Sequence, residues 1–273
     1  MKAEHANSIR QPAVAGRFYP SDPGELRETV DALLGQASSE PDATVPKALI
    51  APHAGYIYSG PVAASAYALW RPARVTLRRV IMLGPSHWVA FEGLALSSHS
   101  AFQTPLGLVP IDPGAAELLC LLPQVSVLDE GHGREHSLEV QLPFLQRVLA
   151  HFQIIPLVVG DAEPEAVAEV LEALWGGSET GIVISSDLSH YHTYPIAREC
   201  DRQTAHVIEA LDPDQLTPAQ ACGGHPIRGL LLAASRHHLS ARTLDLRNSG
   251  DTAGPRDQVV GYGAFAFDSG PRR

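Results

Sequence analysis

Short apolar runs alternate with amphipathic segments along this chain. Continuous apolar runs, typical of strands buried on both faces, lie at 47–51, 79–83, 154–159 and 181–185. Apolar residues at helical spacing predict helices at 22–34, 61–69, 114–122, 164–174, 196–211 and 227–239. Because buried strands alternate with helices, the pattern predicts a three-layer α/β/α protein with a mostly parallel central sheet.

Other segments predict antiparallel additions to this sheet. Residues 93–97 and 107–111 have the pattern of a strand pair around the turn Thr104-Pro105-Leu106-Gly107. Residues 242–247 and 259–267 also predict strands, and the second of these alternates in the β manner. We therefore expect antiparallel strands beside a parallel centre.

Prolines mark the starts of two helices. The helix after the first strand is predicted to begin with Ser59 as its N-cap and Pro61 in its first turn. Residues 138–152 also have helical spacing, and Pro143 either kinks that helix or marks its true start. The polar connector 35–46 follows too short a segment for a separate core, so we predict a single domain over residues 1–273.

Composition narrows the class of protein. The chain of 273 residues is 45% hydrophobic and has a formal net charge of −10, which argues against non-specific nucleic-acid or anionic-membrane binding. It has no apolar run long enough to cross a membrane, and its first residues lack a signal-peptide core. Three widely separated cysteines are a poor disulfide framework. We expect a cytoplasmic protein without nucleic-acid or membrane partners.

Residues with metal-binding or acid–base side chains follow three of the predicted strands. His53 follows the first strand, His87 the second, and Asp187 with His190 the strand at 181–185. The carboxyl ends of parallel strands meet at one edge of a sheet, where α/β proteins bind ligands. The sequence therefore predicts one shared polar site at this edge.

Further candidates lie near helix starts. Cys222 precedes a helix N-terminus, which favours a thiolate, although a small buried hydrophobic role fits the local sequence equally well. His136 and Glu139 share one helix face and either reach the site or cap the helix. Tyr56 and His192 are weaker candidates for the pocket wall.

These residue types suit two kinds of chemistry. Two histidines and one anionic ligand can hold a divalent transition metal: a carboxylate ligand is typical of non-haem Fe(II) sites, and a thiolate favours zinc, iron or copper. The metal-free alternative is a Cys222 nucleophile with one of the histidines as its base. The chain has no G-x-S-x-G elbow, phosphate-binding loop or C-x-x-C pair.

Five motifs carry a family resemblance. They occur in the order APHAGYIYSG, LGPSHW, EHSLEVQLPFL, SSDLSHYH and CGGHPIRGLLL. Together they resemble the MEMO family, whose prokaryotic members are called AmmeMemoRadiSam system protein B, and the resemblance runs from GRFYP to VVGYGAFAF. It implies a fold like the class III extradiol ring-cleaving dioxygenases (LigB type), which hold Fe(II) with two histidines and a glutamate.

The resemblance also implies roles for individual residues. It implies that His53, His87 and Cys222 hold iron or copper, with Cys222 in place of the dioxygenase carboxylate. Asp187 and His190 would then line the same pocket and orient ligands or serve as acid and base, and Cys222 would take part in the chemistry. A thiolate ligand changes the charge and the redox potential of iron. The resemblance therefore does not imply that this protein cleaves catechols as the dioxygenases do.

Three functions follow as hypotheses. The first is a metal-dependent oxidoreductase with Fe²⁺ as the expected metal and copper or zinc as alternatives. The second is a module that binds a peptide or small molecule, or handles metal, without turnover. The third is the metal-free cysteine enzyme. A radical-SAM partner is implied only by the family name.

Overall fold

The computed structural model describes residues 8–37, 44–217 and 219–269. Its strands are β1 (Ile9–Arg10), β2 (Ala48–Ala51), β3 (Arg79–Pro85), β4 (Leu94–Leu96), β5 (Ala101–Thr104), β6 (Gly107–Pro110), β7 (Val125–Val127), β8 (Gln153–Val159), β9 (Thr180–Ser185), β10 (His190–His192), β11 (Ser240–Asn248) and β12 (Val259–Asp268). Its α-helices are α1 (Pro23–Gln36), α2 (Tyr56–Tyr67), α3 (Pro113–Leu119), α4 (Asp129–Gly133), α5 (Leu142–Val148), α6 (Pro164–Leu174), α7 (Tyr194–Glu209) and α8 (Gly224–Arg236). Short 3-10 helices lie at Ala68–Ala73, Glu139–Gln141, Pro213–Gln215 and Ser249–Asp251.

A mixed sheet of nine strands forms the centre of the fold. Its order is β10-β12-β2-β9-β3-β8-β4-β7, and β11 also pairs with β12. The four middle strands, β2-β9-β3-β8, are parallel. Antiparallel strands flank them, with β12 against β2 on one side and β4 against β8 on the other. The predicted α/β class, with a parallel centre and antiparallel additions, is confirmed.

Each face of this sheet packs against helices. In β2, Leu49 and Ala51 join a core with α1, α2 and α5. Ala48 and Ile50 point the other way and join a core with α3, α6, α7 and α8. Since each fully buried Leu or Ile contributes roughly 1.5–3 kcal/mol, the two cores hold the helices firmly on both sides. The result is the three-layer α/β/α arrangement.

Helix α2 begins earlier than predicted. Gly55 occupies its N-cap position, and Pro61 lies inside the helix. The predicted N-cap Ser59 is instead a helical residue whose hydroxyl donates to the Ala54 carbonyl. The prediction was wrong because a distant segment supports the first turn: the backbone N–H of Tyr56 donates to the Phe18 carbonyl at 2.8 Å.

The segment 138–152 is not one continuous helix. A 3-10 turn at Glu139–Gln141 leads into α5, with Pro143 in the first turn of the α-helix. Of the two roles predicted for Pro143, a helix start is therefore the observed one. A proline fits there because the first helical N–H groups have no partner within the helix.

The predicted pairing of 93–97 with 107–111 is wrong. The turn at 104–107 is a hairpin turn, but it joins β6 to β5, which was not predicted. Strand β4 instead enters the central sheet between β8 and β7. Strand β1 completes a separate three-stranded sheet with β5 and β6.

Residues 38–43 of the predicted connector lie outside the described residues. Within the described ranges, no helix combines the length and the hydrophobicity needed to cross a membrane.

Candidate metal-binding site

Three neighbouring parallel strands deliver the site residues to one edge of the sheet. His53 lies two residues beyond β2, His87 two beyond β3, and Asp187 two beyond β9. Strand β9 lies between β2 and β3, with Ala51 level with Ser185. The register explains why residues so distant in sequence meet at this edge.

Three imidazoles form the tightest group of potential ligands among the described residues. One ligand atom from each of His53, His87 and His136 lies within 4.8 Å of the other two. The ring centroids of His87 and His136 are 4.7 Å apart, and those of His53 and His87 are 5.2 Å apart. This group can hold a metal ion, since imidazole is a common ligand of divalent transition metals.

The hydrogen bonds of His53 determine which of its nitrogens is free. Ser185 Oγ donates its only proton to the Ser137 carbonyl at 2.6 Å, so it accepts one from Nδ1–H of His53 at 2.9 Å. The lone pair of Nε2 is then available for a ligand. Burial lowers the pKa of His53 to about 3, which keeps the ring neutral. A neutral imidazole is the form that binds metal.

His87 is oriented by a carboxylate that the sequence analysis did not single out. Nδ1 of His87 donates to Glu135 Oε1 at 2.9 Å, which leaves Nε2 free. Burial alone would raise the pKa of Glu135, but hydrogen bonds from His87 and Ser137 outweigh it and hold the pKa at about 2. An ionised carboxylate behind a histidine is the usual support of a metal-bound imidazole.

His136 is the third imidazole. Its backbone N–H donates to Glu135 Oε1 at 2.9 Å. The carboxylate of Glu135 therefore bonds both the ring of His87 and the backbone of His136. Burial, together with the neighbouring His53, lowers the pKa of His136 to about 4. His53 and His136 are therefore neutral at pH 7.

Cys222 lies beside the free Nε2 of His53. Its sulfur is 3.4 Å from His53 Nε2 and accepts the backbone N–H of Asp187 at 3.3 Å. Burial and the nearby Asp187 raise the pKa of the thiol to about 12, so without a metal ion it carries its proton. Among the described residues, the three ligand atoms that lie within 4.8 Å of one another belong to His53, His87 and His136, so Cys222 is not part of that group.

Asp187 and His190 lie at the same edge of the sheet and both line the cavity in front of the histidines. Asp187 Oδ1 accepts the backbone N–H of His53 at 2.8 Å, and burial raises the pKa of the carboxyl. His190 Nδ1 donates to the Leu188 carbonyl at 2.8 Å, which leaves Nε2 without this bond. Both side chains are therefore candidates for moving a proton at this edge.

An open cavity of about 500 Å³ lies in front of these residues. It is lined by Phe18, His53, Ala54, Gly55, Tyr58, His87, His136, Asp187, His190, Tyr191, Ser249, Gly254, Pro255, Val260 and Tyr262. The imidazoles and the carboxyl form its polar part, and aromatic rings form much of its wall. Its size and lining suit a small ligand.

Three predicted pocket residues lie elsewhere. Tyr56 is buried behind the cavity, where its hydroxyl donates to the Val140 carbonyl at 2.6 Å. Glu139 turns away from His136 and forms a buried ion pair with Arg10 at 2.6 Å. His192 lies on the exposed side of β10. None of the three lines the cavity.

The sequence analysis missed other residues of the site. Glu135 stands directly before the predicted residue His136, and this adjacency was the available signal. Phe18, Tyr58 and Tyr262 lie in strands, helices and turns whose patterns carry no sign of a pocket. Their role in the cavity depends on tertiary packing.

The fold and site define an α/β protein with a histidine-rich pocket at the carboxyl edge of a parallel sheet. A family model described as Memo-like protein matches residues 10–266. The chain therefore belongs to the Memo family.

Curated relatives agree with this assignment. A MEMO1 family protein of Aquifex aeolicus is 37% identical over 272 residues, covering 95% of this chain and 99% of the relative. A MEMO1 family protein of Methanopyrus kandleri is 35% identical, covering 96% of this chain and 99% of the relative. One from Nitrosopumilus maritimus is 33% identical, with 95% and 99% covered. The match extends over nearly the whole length of each relative.

Proposed function

We propose that this protein is a metal-dependent oxidoreductase that binds Fe²⁺ at the carboxyl edge of its sheet. The observation that carries the proposal is the convergence of His53, His87 and His136, whose ligand atoms lie within 4.8 Å of one another. Copper and zinc are the alternative metals. The substrate would be a small molecule bound in the cavity in front of the histidines.

The donor set fits a metal ion. Hydrogen bonds to Ser185 and Glu135 leave Nε2 free on His53 and on His87. Cys222 Sγ lies 3.4 Å from His53 Nε2, close to the roughly 3.5 Å expected for nitrogen and sulfur ligands of one ion with metal bonds of about 2.0 and 2.3 Å. We therefore propose Cys222 as the anionic ligand beside the imidazoles.

The protein's own residues would manage substrate and protons. The bound ion would supply redox chemistry and polarise a ligand oxygen. Burial raises the pKa of Asp187, which favours this carboxyl as the group that would donate a proton to such an oxygen, and Nε2 of His190 would accept one. The aromatic wall of the cavity would hold the substrate against the histidines and exclude water.

The metal-free cysteine mechanism has less support. A cysteine nucleophile needs a thiolate, whereas the pKa of Cys222 is raised to about 12. His53 is a weak base in this setting because its pKa is lowered to about 3.

Elemental analysis of anaerobically purified protein tests the metal site. We expect about one iron per chain in the wild type, and loss of iron in His53→Ala, His87→Ala and Cys222→Ser. His206→Ala, which changes an exposed histidine of α7, is the matched control. Full metal content in both His53→Ala and His87→Ala would refute the site.

Oxygen consumption by the iron-loaded protein tests turnover separately. We expect uptake that depends on an added small-molecule substrate. Bound iron without uptake for any substrate would instead indicate a binding or metal-handling module.

A further inference from the structure

Tyr262 has an unusual position in the cavity wall. It lies on β12, two residues after Val260, and both side chains line the cavity from the same face of the strand. Only 2% of its surface is exposed. Its ring is packed into the core beside α2 and β2, and its hydroxyl forms no hydrogen bond with a described residue and is open to the cavity.

The other buried tyrosines differ in this respect. The hydroxyl of Tyr19 donates to Glu139 at 2.6 Å, that of Tyr56 to the Val140 carbonyl at 2.6 Å, and that of Tyr67 to Gln141 at 2.8 Å. Among the described residues, the buried side-chain atoms without a hydrogen-bond partner are Ser189 Oγ and Asn248 Nδ2. The Tyr262 hydroxyl is not one of them, because it is open to the cavity, where its hydrogen-bonding capacity is available to a ligand.

The surroundings keep this hydroxyl protonated. Burial, then the charges of Asp187 and Tyr58, raise the pKa of Tyr262 well above its usual value. Tyr262 lines the same cavity as Asp187 and Tyr58. A tyrosine that stays neutral in this way is a hydrogen-bond donor at any pH near 7.

We propose that Tyr262 is a ligand-binding residue whose hydroxyl donates a hydrogen bond to a neutral oxygen, a hydroxyl or carbonyl group, of a small apolar ligand. The described lining contains no lysine or arginine, which disfavours a charged carboxylate or phosphate at this point. Phe18, Tyr58 and Tyr191 offer flat aromatic contacts for the rest of the ligand. The inference rests on the proposed use of the cavity as a ligand site, but not on the metal.

Titration of the metal-free full-length protein with benzyl alcohol and with toluene, followed by NMR, tests this role. Tyr262→Phe removes only the hydroxyl. We expect it to weaken benzyl alcohol binding by about threefold to tenfold and to leave toluene binding unchanged, as for the loss of one hydrogen bond. Tyr194→Phe is the matched control, because that exposed hydroxyl donates to Asp251 outside the cavity.

Several outcomes would overturn the proposal. One is equal affinity of wild type and Tyr262→Phe for benzyl alcohol, and another is failure of benzyl alcohol to bind the wild type. A lower melting temperature of Tyr262→Phe would also contradict it, because a hydroxyl without a protein partner should not stabilise the fold. Metal content is measured on separate, anaerobically purified wild type and Tyr262→Phe, so that a failed metal site and a failed Tyr262 contact are distinguishable.

Discussion

Glu135 accepts hydrogen bonds from both the ring and the backbone of His87, at 2.9 Å from Nδ1 and 2.7 Å from the backbone N–H. Each carboxylate oxygen takes one of these bonds. The ring can therefore neither rotate nor change its tautomer without losing a charged partner. This contact fixes the direction of Nε2 before any ligand arrives.

Replacing Glu135 should weaken metal binding without removing a ligand. We expect Glu135→Gln to lower metal affinity by about 10- to 100-fold, because the amide loses the charge that orients His87. Competition with a chelator of known affinity measures this change. Glu130→Gln, an exposed change in the neighbouring helix α4, should have the wild-type affinity. Equal affinities in the two variants would show that Glu135 does not support the site.

The stability of the metal-free protein should fall as the pH falls from 7 to 5. Burial lowers the pKa of His53 to about 3, and those of His132 and His136 to about 4. Below about pH 6.5 the unfolded chain binds protons at these positions and the folded chain does not, so acid favours unfolding. Each histidine contributes at most about 1.4 kcal/mol per pH unit.

Urea unfolding at several pH values measures this effect. His132→Gln should reduce the slope by about the contribution of one proton, and His206→Gln, which changes an exposed residue, should leave it unchanged. A free energy of unfolding that stays constant between pH 7 and pH 5 would contradict the buried neutral histidines.

The ion pair between Arg10 and Glu139 should be important for stability. Arg10 also donates to the carbonyl groups of His132 and Glu135, so it joins the N-terminal segment to the stretch that carries His136. We expect Arg10→Ala to lower the free energy of unfolding by about 3–5 kcal/mol, because Glu139 remains buried without its charged partner.

A surface ion pair provides the comparison for this prediction. Arg202 pairs with Glu199 on the exposed face of α7, and Arg202→Ala should leave the free energy of unfolding nearly unchanged. Denaturant unfolding of both variants is the measurement. Similar losses of unfolding free energy in the two variants would show that the buried ion pair stabilises the fold no more than the exposed one.

Gly223 should tolerate no side chain. A Cβ there would lie 2.6 Å from Ser186 Cβ and 2.9 Å from the Ser185 carbonyl oxygen. We expect Gly223→Ala to lower stability by about 1–3 kcal/mol and to displace the adjacent Cys222. Thermal unfolding and metal content together report both effects.

Gly133 is the matched control for that substitution. A Cβ at Gly133 would meet no atom within 4 Å, so Gly133→Ala should leave stability nearly unchanged. Wild-type stability and metal content in Gly223→Ala would show that Gly223 does not lie against Ser185 at the end of β9.

Much of the fold could be predicted because the buried strands are apolar over their whole length and are followed by polar turns. The same logic placed His53, His87 and Asp187 at one edge, since parallel strands share a direction. It could not predict that β6 pairs with β5 and not with β4, because strand pairing depends on contacts distant in sequence.

The geometry of the site was harder to predict from the sequence, because it also depends on contacts between residues distant in sequence. His136 and Glu139 share a helix face in sequence, but a 3-10 turn and the attraction of Arg10 send them in different directions. The pocket role of Tyr262 depends on where β12 lies in the sheet, which periodicity does not specify.

Cys222 reaches the site from the start of α8, whereas His53 and His87 follow strands of the central sheet. Helix α8 is held by its own packing, with Gly229 close against Val167 of α6, and this contact does not involve the sulfur. The sheet thus fixes His53 and His87, whereas the packing of α8 does not depend on the side chain at position 222. In the proposed metal site, one substitution at position 222 would change the kind of donor atom, while His53 and His87 would stay where the sheet places them.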